Sequence, residues 1–578
     1  MTVVPHKIER RRKLLPLLAI LVTATVYLLS TANRAVTDYD EAYYAQVAMR
    51  MVQHNDWITP YANDVRFLEK PPFLYWMTAL SFKVFGISEF SLRLPTALAV
   101  IAIVWIVILT VRLAADENAV FIAGLSMAFS MGTYLFTRET LHDIWLVLFL
   151  ALAVFAFFRW YLDPPHSRGF ALLFYFSMAG ALMCKGLVGI AFPLGIAVLF
   201  FLFSREFPKR STLQLLPGIL LFLFLTVPWH WLAAIQNEGF LRFYFIDEQF
   251  LRFLGKREPP VLWSVPFAAF WALILVWFFP WTAFLPAAFS MRPKRLDGRE
   301  RDLFKLAIIW AAVVLVFFSF TERLEHYAFP AIPALSILVS IALGPCRRSL
   351  SILWAFRSLA ILGILILAFG IGVGIWVASG NVIHFKPTGT PDRLAEADFS
   401  IMADIPPAMA LDLLKPAAAT ALSLGIGFLI ALWFETRGRR LNAVMSLVAV
   451  MAVVFAMTHW SFNICEDLIS SKKFALAVGR IAAPEDRLIL MDDYESANSL
   501  SFYQPLQVEI HDGQAYALVP GMRFPDAPNI VLSQEEFRAA WRSGSRIFLI
   551  GPIGRIETLD LDYRERLRVL HRMLVSNY

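Results

Sequence analysis

Apolar runs of roughly 17 to 25 residues recur along most of this chain, and that is the length a helix needs to cross a hydrocarbon core. A β-barrel would instead show short segments of alternating hydrophobicity. The 578 residues are 58% hydrophobic and 17% charged, whereas a soluble domain is usually about half apolar and a quarter charged. The pattern predicts an all-α polytopic membrane domain of about thirteen spans, starting near residues 14, 91, 117, 142, 170, 186, 212, 263, 303, 328, 352, 414 and 441.

The net charge of +7 comes from basic clusters beside these spans. No basic stripe interleaved with aromatics points to nucleic acid. The first segment, basic from His6 to Lys13 and apolar from Leu14 to Leu29, has the outline of a signal peptide, but Ser30-Thr31-Ala32-Asn33 makes a poor cleavage site. It reads as an uncleaved span with the N-terminus in the cytoplasm. The cytoplasmic connections are then residues 204–210, 292–301, 347–348 and 437–440, which are among the densest basic short loops of the chain. The opposite side receives an acidic first loop and residues 236–260, 321–326 and 378–415. The positive-inside rule agrees, with the N-terminus in and the C-terminus out.

From about Asn463 the composition becomes mixed and charged. Residues 470–481 have a helical apolar period, and residues 487–491, 508–510, 529–532 and 545–550 read as short strands. The chain thus divides into a membrane unit, 1–462, with outer loop helices at about 38–90, and a small α/β extracytoplasmic unit, 463–578. Cys184, Cys346 and Cys465 show neither metal-ligand spacing nor an even disulfide set, and the first two read as residues at helix ends.

The chemistry concentrates in the acidic first loop. Asp38, Asp40, Glu41, Glu69 and Lys70 share one short connection beside the bilayer, where charge is costly and seldom kept without a partner or a role. Residues 42–49 continue with the period of an amphipathic helix lying on the membrane surface. Asp38 or Asp40 can cap that helix. Other charges converge on the same face: Arg138, Glu139, His142 and Asp143; Lys185; Arg242, Asp247, Glu248, Arg252, Lys256 and Arg257; Glu322, Arg323, Glu325, His326 and Tyr327. The charge rule disfavours lysine and arginine there. Salt bridging among these groups is one explanation, and a reaction on an anionic lipid is the other. In such a reaction an aspartate takes the acceptor's proton, while lysine and arginine hold a phosphate as charge develops on it.

The Asp-Glu pair after the first span, Asn55-Asp56-Trp57-Ile58-Thr59-Pro60 and Glu69-Lys70-Pro71-Pro72 resemble the aminoarabinose lipid A transferases, relatives of the protein O-mannosyltransferases with the GT-C membrane fold. Further matches are Arg138-Glu139 with Asp143, Lys185-Gly186, the Phe-x-Arg-Phe element at Phe250 to Phe253, Phe279-Pro280-Trp281, and Tyr327 with Pro330 and Pro333. The resemblance implies inverting transfer of a sugar from a polyprenyl phosphate to a lipid A-like glycolipid or a protein, at the outer face of the bacterial cytoplasmic membrane. It implies Asp40 as base and Asp143 as a second essential carboxylate. Glu69 and Lys70, with Glu41 beside them, would line the site; Lys185, Arg138 and Arg257 would hold the donor phosphate, and Tyr327 would face the cavity. Two departures bear on substrate and metal. Residues 321–327 differ from the Ser-x-x-Lys-Leu-Pro run of the lipid A branch, and Glu248-Gln249 stands where that branch often has Glu-His. The second removes a histidine ligand, so no metal residues are assigned, and a divalent metal stays an open possibility.

A lipid-linked sugar flippase is the competing class. Transporters place polar residues near the bilayer midplane, often in repeated halves; here the charges gather at one face, and no second half mirrors the first. In the tail, Asp492-Asp493-Tyr494 reads as turn capping or as a small binding loop.

Overall fold

The computed structural model describes residues 6–164, 166–205, 213–257, 264–291, 296–344, 349–379 and 405–578. Cys346, Arg347 and Arg348, and residues 206–210, 292–295 and 380–404 of the expected basic and outer loops, lie outside the described residues.

Helices begin within about five residues of the expected span starts, except that those expected near 14 and 414 begin eight and seven residues earlier. They are α1 (His6–Leu29), α2 (Asp40–His54), α3 (Phe73–Phe85), α4 (Glu89–Arg112), α5 (Glu117–Ala128), α6 (Met131–Arg138), α7 (His142–Leu162), α8 (Arg168–Lys185), α9 (Val188–Ser204), α10 (Leu215–Gln236), α11 (Phe267–Trp277), α12 (Leu285–Phe289), α13 (Gly298–Ser319), α14 (Ile332–Ala342), α15 (Leu350–Ala378), α16 (Pro407–Thr436) and α17 (Arg440–Ile464). Among the described residues, eight helices are long and apolar enough to cross a membrane, or ten if the bent pairs α5–α6 (43°) and α11 with Trp281–Phe289 (98°) each form one span. The apolar stretches Leu14–Leu29 and Val188–Ser204 are shorter than that, and α8 carries a charge at each end. This is why a count of runs exceeds a count of full-length spans.

Burial sorts the helices. The apolar windows of α4 and α7 are 67% and 72% buried inside the protein, whereas that of α15 is 11% buried. Leucines and phenylalanines such as Phe224, Leu365 and Phe369 point outward from α10 and α15, as a bilayer-facing surface requires. The multi-pass architecture is therefore read from side-chain exposure as well as from length.

The C-terminal region forms a six-stranded sheet of β3 (Arg487–Leu490), β4 (Val508–His511), β5 (Val531–Leu532), β6 (Ile547–Pro552), β7 (Arg564–Val569) and β8 (Arg572–Ser576), numbered after a two-residue hairpin, β1 (Tyr61–Ala62) and β2 (Val65–Arg66), in the first loop. The order is β5-β4-β3-β6-β8-β7; the first four strands run parallel and the last two pair antiparallel. The four expected strands are present. β7 reads Arg-Glu-Arg-Leu-Arg-Val, an edge strand whose arginines hide its extended pattern.

Alternation along β3 shows how the sheet is used. Leu488 and Leu490 join the main core, which runs without a break into α2 and the bundle, while Ile489 and Met491 pack on the other face against Phe537 and Trp541. The sheet thus covers one end of the bundle. Gly521 shows how closely it docks: a Cβ there would fall 1.9 Å from the carbonyl oxygen of Arg66 in the hairpin.

Candidate active site

α2 begins at Asp40, directly after Tyr39, whose φ is 72°. A bulky residue in that left-handed region is strained, and the strain is held from outside. Asn498 accepts a hydrogen bond from Tyr39 N (2.8 Å) and donates one to Tyr39 O (2.9 Å). Neither Asp38 nor Asp40 caps the helix, because the residue before α2 is Tyr39 and it makes no side-chain cap bond. Asp38 instead accepts from Ser499 N (2.8 Å) and Ser471 Oγ (3.1 Å), fastening the loop to the C-terminal region. The capping expectation is corrected for both residues. Asp40 has no ion-pair partner among the described residues and opens on a cavity of about 190 Å³.

That cavity is lined by Asp40, Tyr43 and Tyr44 of α2, Glu69 and Lys70 of the first loop, His142 and Asp143 at the start of α7, and Lys185 at the end of α8. Arg252, Arg257, His326 and Tyr327 line it too, as do Glu495 and Tyr516 of the C-terminal region. The spacing of Asp40, Tyr43 and Tyr44 puts them on one helix face. Lys185 pairs with Asp143 and lies 4.3 Å from the Tyr327 ring centroid, and His326 Nε2 is 3.6 Å from Asp143. Arg257 bridges Glu69 and Glu248. Arg252 reaches Glu248 (3.3 Å) and the Tyr327 hydroxyl (3.2 Å). Gly186, at φ 81°, turns the chain after Lys185; a Cβ there would sit 2.5 Å from Gln249 Oε1.

A second cavity of about 250 Å³ adjoins the first and is walled mainly by apolar side chains such as Leu187, Val188, Phe250, Phe253, Phe317 and Phe318, with Glu248, Gln249, Thr321 and Glu322 also in its lining. The two cavities share four lining residues: Lys70, Lys185, Arg252 and Tyr327. Four carboxylates and four cations line the first cavity, so it carries no net cationic balance. The shared boundary, by contrast, has three cations and no carboxylate of its own, although Lys185 pairs with Asp143, Arg252 with Glu248 and Glu322, and Lys70 lies 3.8 Å from Glu69 and 4.0 Å from Glu248. An anion is best held there.

Electrostatics separate the acids. Asp40 is exposed to the cavity but ringed by protein, and that desolvation, partly offset by Lys70, raises its pKa to about 6. Burial would also raise Glu69, yet Arg257 and Lys70 outweigh it and hold the carboxyl below its usual range. Burial and the nearby Glu69 charge push Glu248 up.

Asp40, Asp143, Glu69, Lys70, Lys185, Arg257 and Tyr327 are therefore brought together as expected. Glu41 and Arg138 are not. Glu41 is fully buried beneath α2, bonded to Arg93 (2.7 and 2.8 Å), Arg34 (3.2 Å), Thr37 N (2.9 Å) and Thr140 (3.2 Å). Burial alone would raise its pKa, but Arg93 and Arg34 lower it to about 2. Arg138 is buried against the Tyr134 and Tyr27 rings and donates to Ser30 O (2.5 Å). Both are corrected: neither lines the cavity, and each is held inside the protein, with Arg138 Nε left without a hydrogen-bond partner among the described residues. Arg252 and His326 were legible among the charges converging on this face but carried no individual role, although both belong to the cavity wall. Glu495 and Tyr516 carried no signal, since only the docking of the sheet brings them in. Asp493 Oδ1 accepts from Gln514 N (2.9 Å), a bond to another loop twenty-one residues on rather than within its own turn.

Gln249 spends its side chain accepting from Leu187 N (3.1 Å), and Asp143, Glu69 and Glu248 already face cations. Among the described residues no three His, Cys, Asp or Glu side chains gather as ligands.

Residues 69–231 match the family described as dolichyl-phosphate-mannose-protein mannosyltransferase. The undecaprenyl phosphate-α-4-amino-4-deoxy-L-arabinose arabinosyl transferase of Yersinia pestis is 27% identical over 366 residues, 61% of this chain. The match spans 62% of that relative's length. A Proteus mirabilis transferase of the same description is 25% identical over 408 residues, 68% of this chain and 70% of the relative. The crystal structure of ArnT from Cupriavidus metallidurans bound to undecaprenyl phosphate superposes with a TM-score of 0.82 at 24% identity, covering 97% of this chain and 98% of that one. The chain is a multi-pass membrane protein of the GT-C fold that resembles the aminoarabinose transferases and the protein O-mannosyltransferases.

Proposed function

We propose that the protein is an inverting glycosyltransferase that moves a sugar from an undecaprenyl-type polyprenyl phosphate to an envelope acceptor. The observation that carries this reading is the boundary between the two cavities. Three cations and a tyrosine stand there, with an apolar chamber on one side and the unpaired Asp40 on the other. A lipid phosphate bearing a sugar has the matching order of parts: apolar chain, anion, then sugar.

In the reaction, an acceptor oxygen attacks the anomeric carbon from the face opposite the phosphate. The new C–O bond forms as the bond to the phosphate oxygen breaks, and the electron pair leaves with the phosphate. Lys70, Lys185 and Arg252 hold the charge that develops there. Asp40 takes the acceptor's proton, a role its upward-shifted pKa suits near neutral pH. Asp143 keeps Lys185 in place.

The same reading has about thirteen spans, counting the shorter apolar helices, in a membrane unit over 1–462 and an α/β unit over 463–578. It places the protein in the bacterial inner membrane with the N-terminus in the cytoplasm and the cavity and C-terminal unit on the periplasmic side. The acceptor is a lipid A-like glycolipid or a protein. A cavity at one end of the helices favours chemistry at a membrane surface over translocation. The test is transfer by purified protein in detergent, with no bilayer to cross. A labelled sugar passing from the polyprenyl phosphate to lipid A or to an envelope protein is expected. Movement of donor across liposomes with no transfer in detergent would establish a transporter instead.

A further inference from the structure

Two buried polar side chains in the wall of the first cavity have unmet hydrogen-bonding capacity. His142 is 2% exposed, and neither ring nitrogen has a partner among the described residues. Its ring stands edge-on to Tyr44 (4.5 Å between centroids) and to Tyr75 (5.1 Å). Glu495, brought in by the C-terminal region, accepts with Oε1 from Tyr43 (2.8 Å) and from Ala517 N (3.0 Å), while Oε2 is bare and no cation lies within ion-pair distance among the described residues. Leaving such groups buried and unpaired is costly, and a native protein keeps them so where something else supplies the partner.

Their placement says what that partner is. Tyr43 and Tyr44 are neighbours on α2, one turn beyond Asp40, so Glu495 and His142 stand beside the face that carries the base. Neither lines the apolar chamber or the cationic boundary. A neutral imidazole offers one donor and one acceptor, which matches a hydroxyl group; a bare carboxylate oxygen takes up a hydroxyl or an ammonium. Charged phosphate binding is already accounted for by the lysines and arginine of the boundary.

We propose that His142 and Glu495 form the subsite that reads the polar substituents of the sugar, with the C-terminal region supplying half of it. This rests on the reading that the cavity takes a phosphate-linked sugar. The test is binding to full-length protein in detergent. The probes are undecaprenyl phosphate alone, undecaprenyl phosphate carrying 4-amino-4-deoxy-L-arabinose, and undecaprenyl phosphate carrying a hexose. Wild-type protein is expected to hold at least one sugar-bearing lipid about tenfold more tightly than the bare carrier, as hydrogen bonds to a charged group allow. His142→Phe keeps the ring packing and Glu495→Gln keeps the bonds from Tyr43 and Ala517. Each is expected to cut the preference at least about threefold, and the double variant to erase it, with bare-carrier affinity within twofold. A larger loss for the amino sugar in Glu495→Gln identifies an ammonium; equal losses identify a hydroxyl. An intact preference in the double variant, no preference in wild type, or equal loss of bare-carrier binding would overturn the proposal. A preference that the variants erase, in a protein that transfers nothing, would uphold this subsite and refute the transferase reading alone.

Discussion

Asp40 and Glu41 are adjacent acids with opposite surroundings, and the difference decides what each does. One helical step turns Asp40 into the cavity and Glu41 into a nest of arginines. With its pKa raised to about 6, Asp40 is a competent base only once ionised. Transfer is therefore expected to rise with pH through about 6 and then level off, measured as kcat/KM against pH; a profile flat from 5 to 8 would remove Asp40 as the titrating base. Glu41 has the reverse sign. Its folded pKa of about 2 lies below the unfolded value of 4.5, so its stabilisation is complete above about 4.5 and is lost as pH falls through 2. Glu41→Gln leaves Arg34 and Arg93 buried without their counter-charge, and a destabilisation of about 3–5 kcal/mol is expected. Thermal unfolding in detergent measures it; an unchanged Tm with a raised KM would put Glu41 back in the site. The Asp-Glu pair was legible in the sequence as a place of chemistry. Which acid faced the cavity was not, because the answer depends on Arg93, fifty-two residues further on.

At the scale of elements, the amphipathic α2 was legible from its period, but the strained turn that aims it was not. Tyr39 is held at φ 72° by Asn498, 459 residues along the chain, and no local pattern records a clamp across that distance. Such strain costs about 1–3 kcal/mol and persists only when the surroundings enforce it. Asn498→Ala releases both bonds and lets Tyr39 relax, moving Asp40 relative to the boundary cations. A fall in kcat of about 10- to 100-fold is expected, since small displacements of a reacting group are costly, with affinity for bare undecaprenyl phosphate unchanged. Unaltered kcat would mean that the turn holds its geometry without the clamp. The helices of the bundle were easier to read, because twenty apolar residues in a row announce themselves; β7, written in arginines, does not.

For the whole molecule, the sheet and the bundle share one core, and the cavity takes Glu495 and Tyr516 from the far end of the chain. Composition alone located the change near Asn463 but left the tail looking like a separate attachment. Truncation after Ile464 is expected to abolish transfer even where the helices still insert, since it removes the Asn498 clamp and one wall of the cavity. Retained transfer would make the C-terminal region a docking module only. The central claim is that Asp40 is the base opposite a cation-lined phosphate site, and Asp40→Asn tests it most directly. Side by side with wild type, transfer and bare undecaprenyl phosphate binding are measured in the same detergent preparation. Transfer is expected to fall about 10²- to 10⁴-fold, the worth of a general base, while carrier affinity stays within about twofold. Transfer at or near the wild-type rate in Asp40→Asn would contradict it.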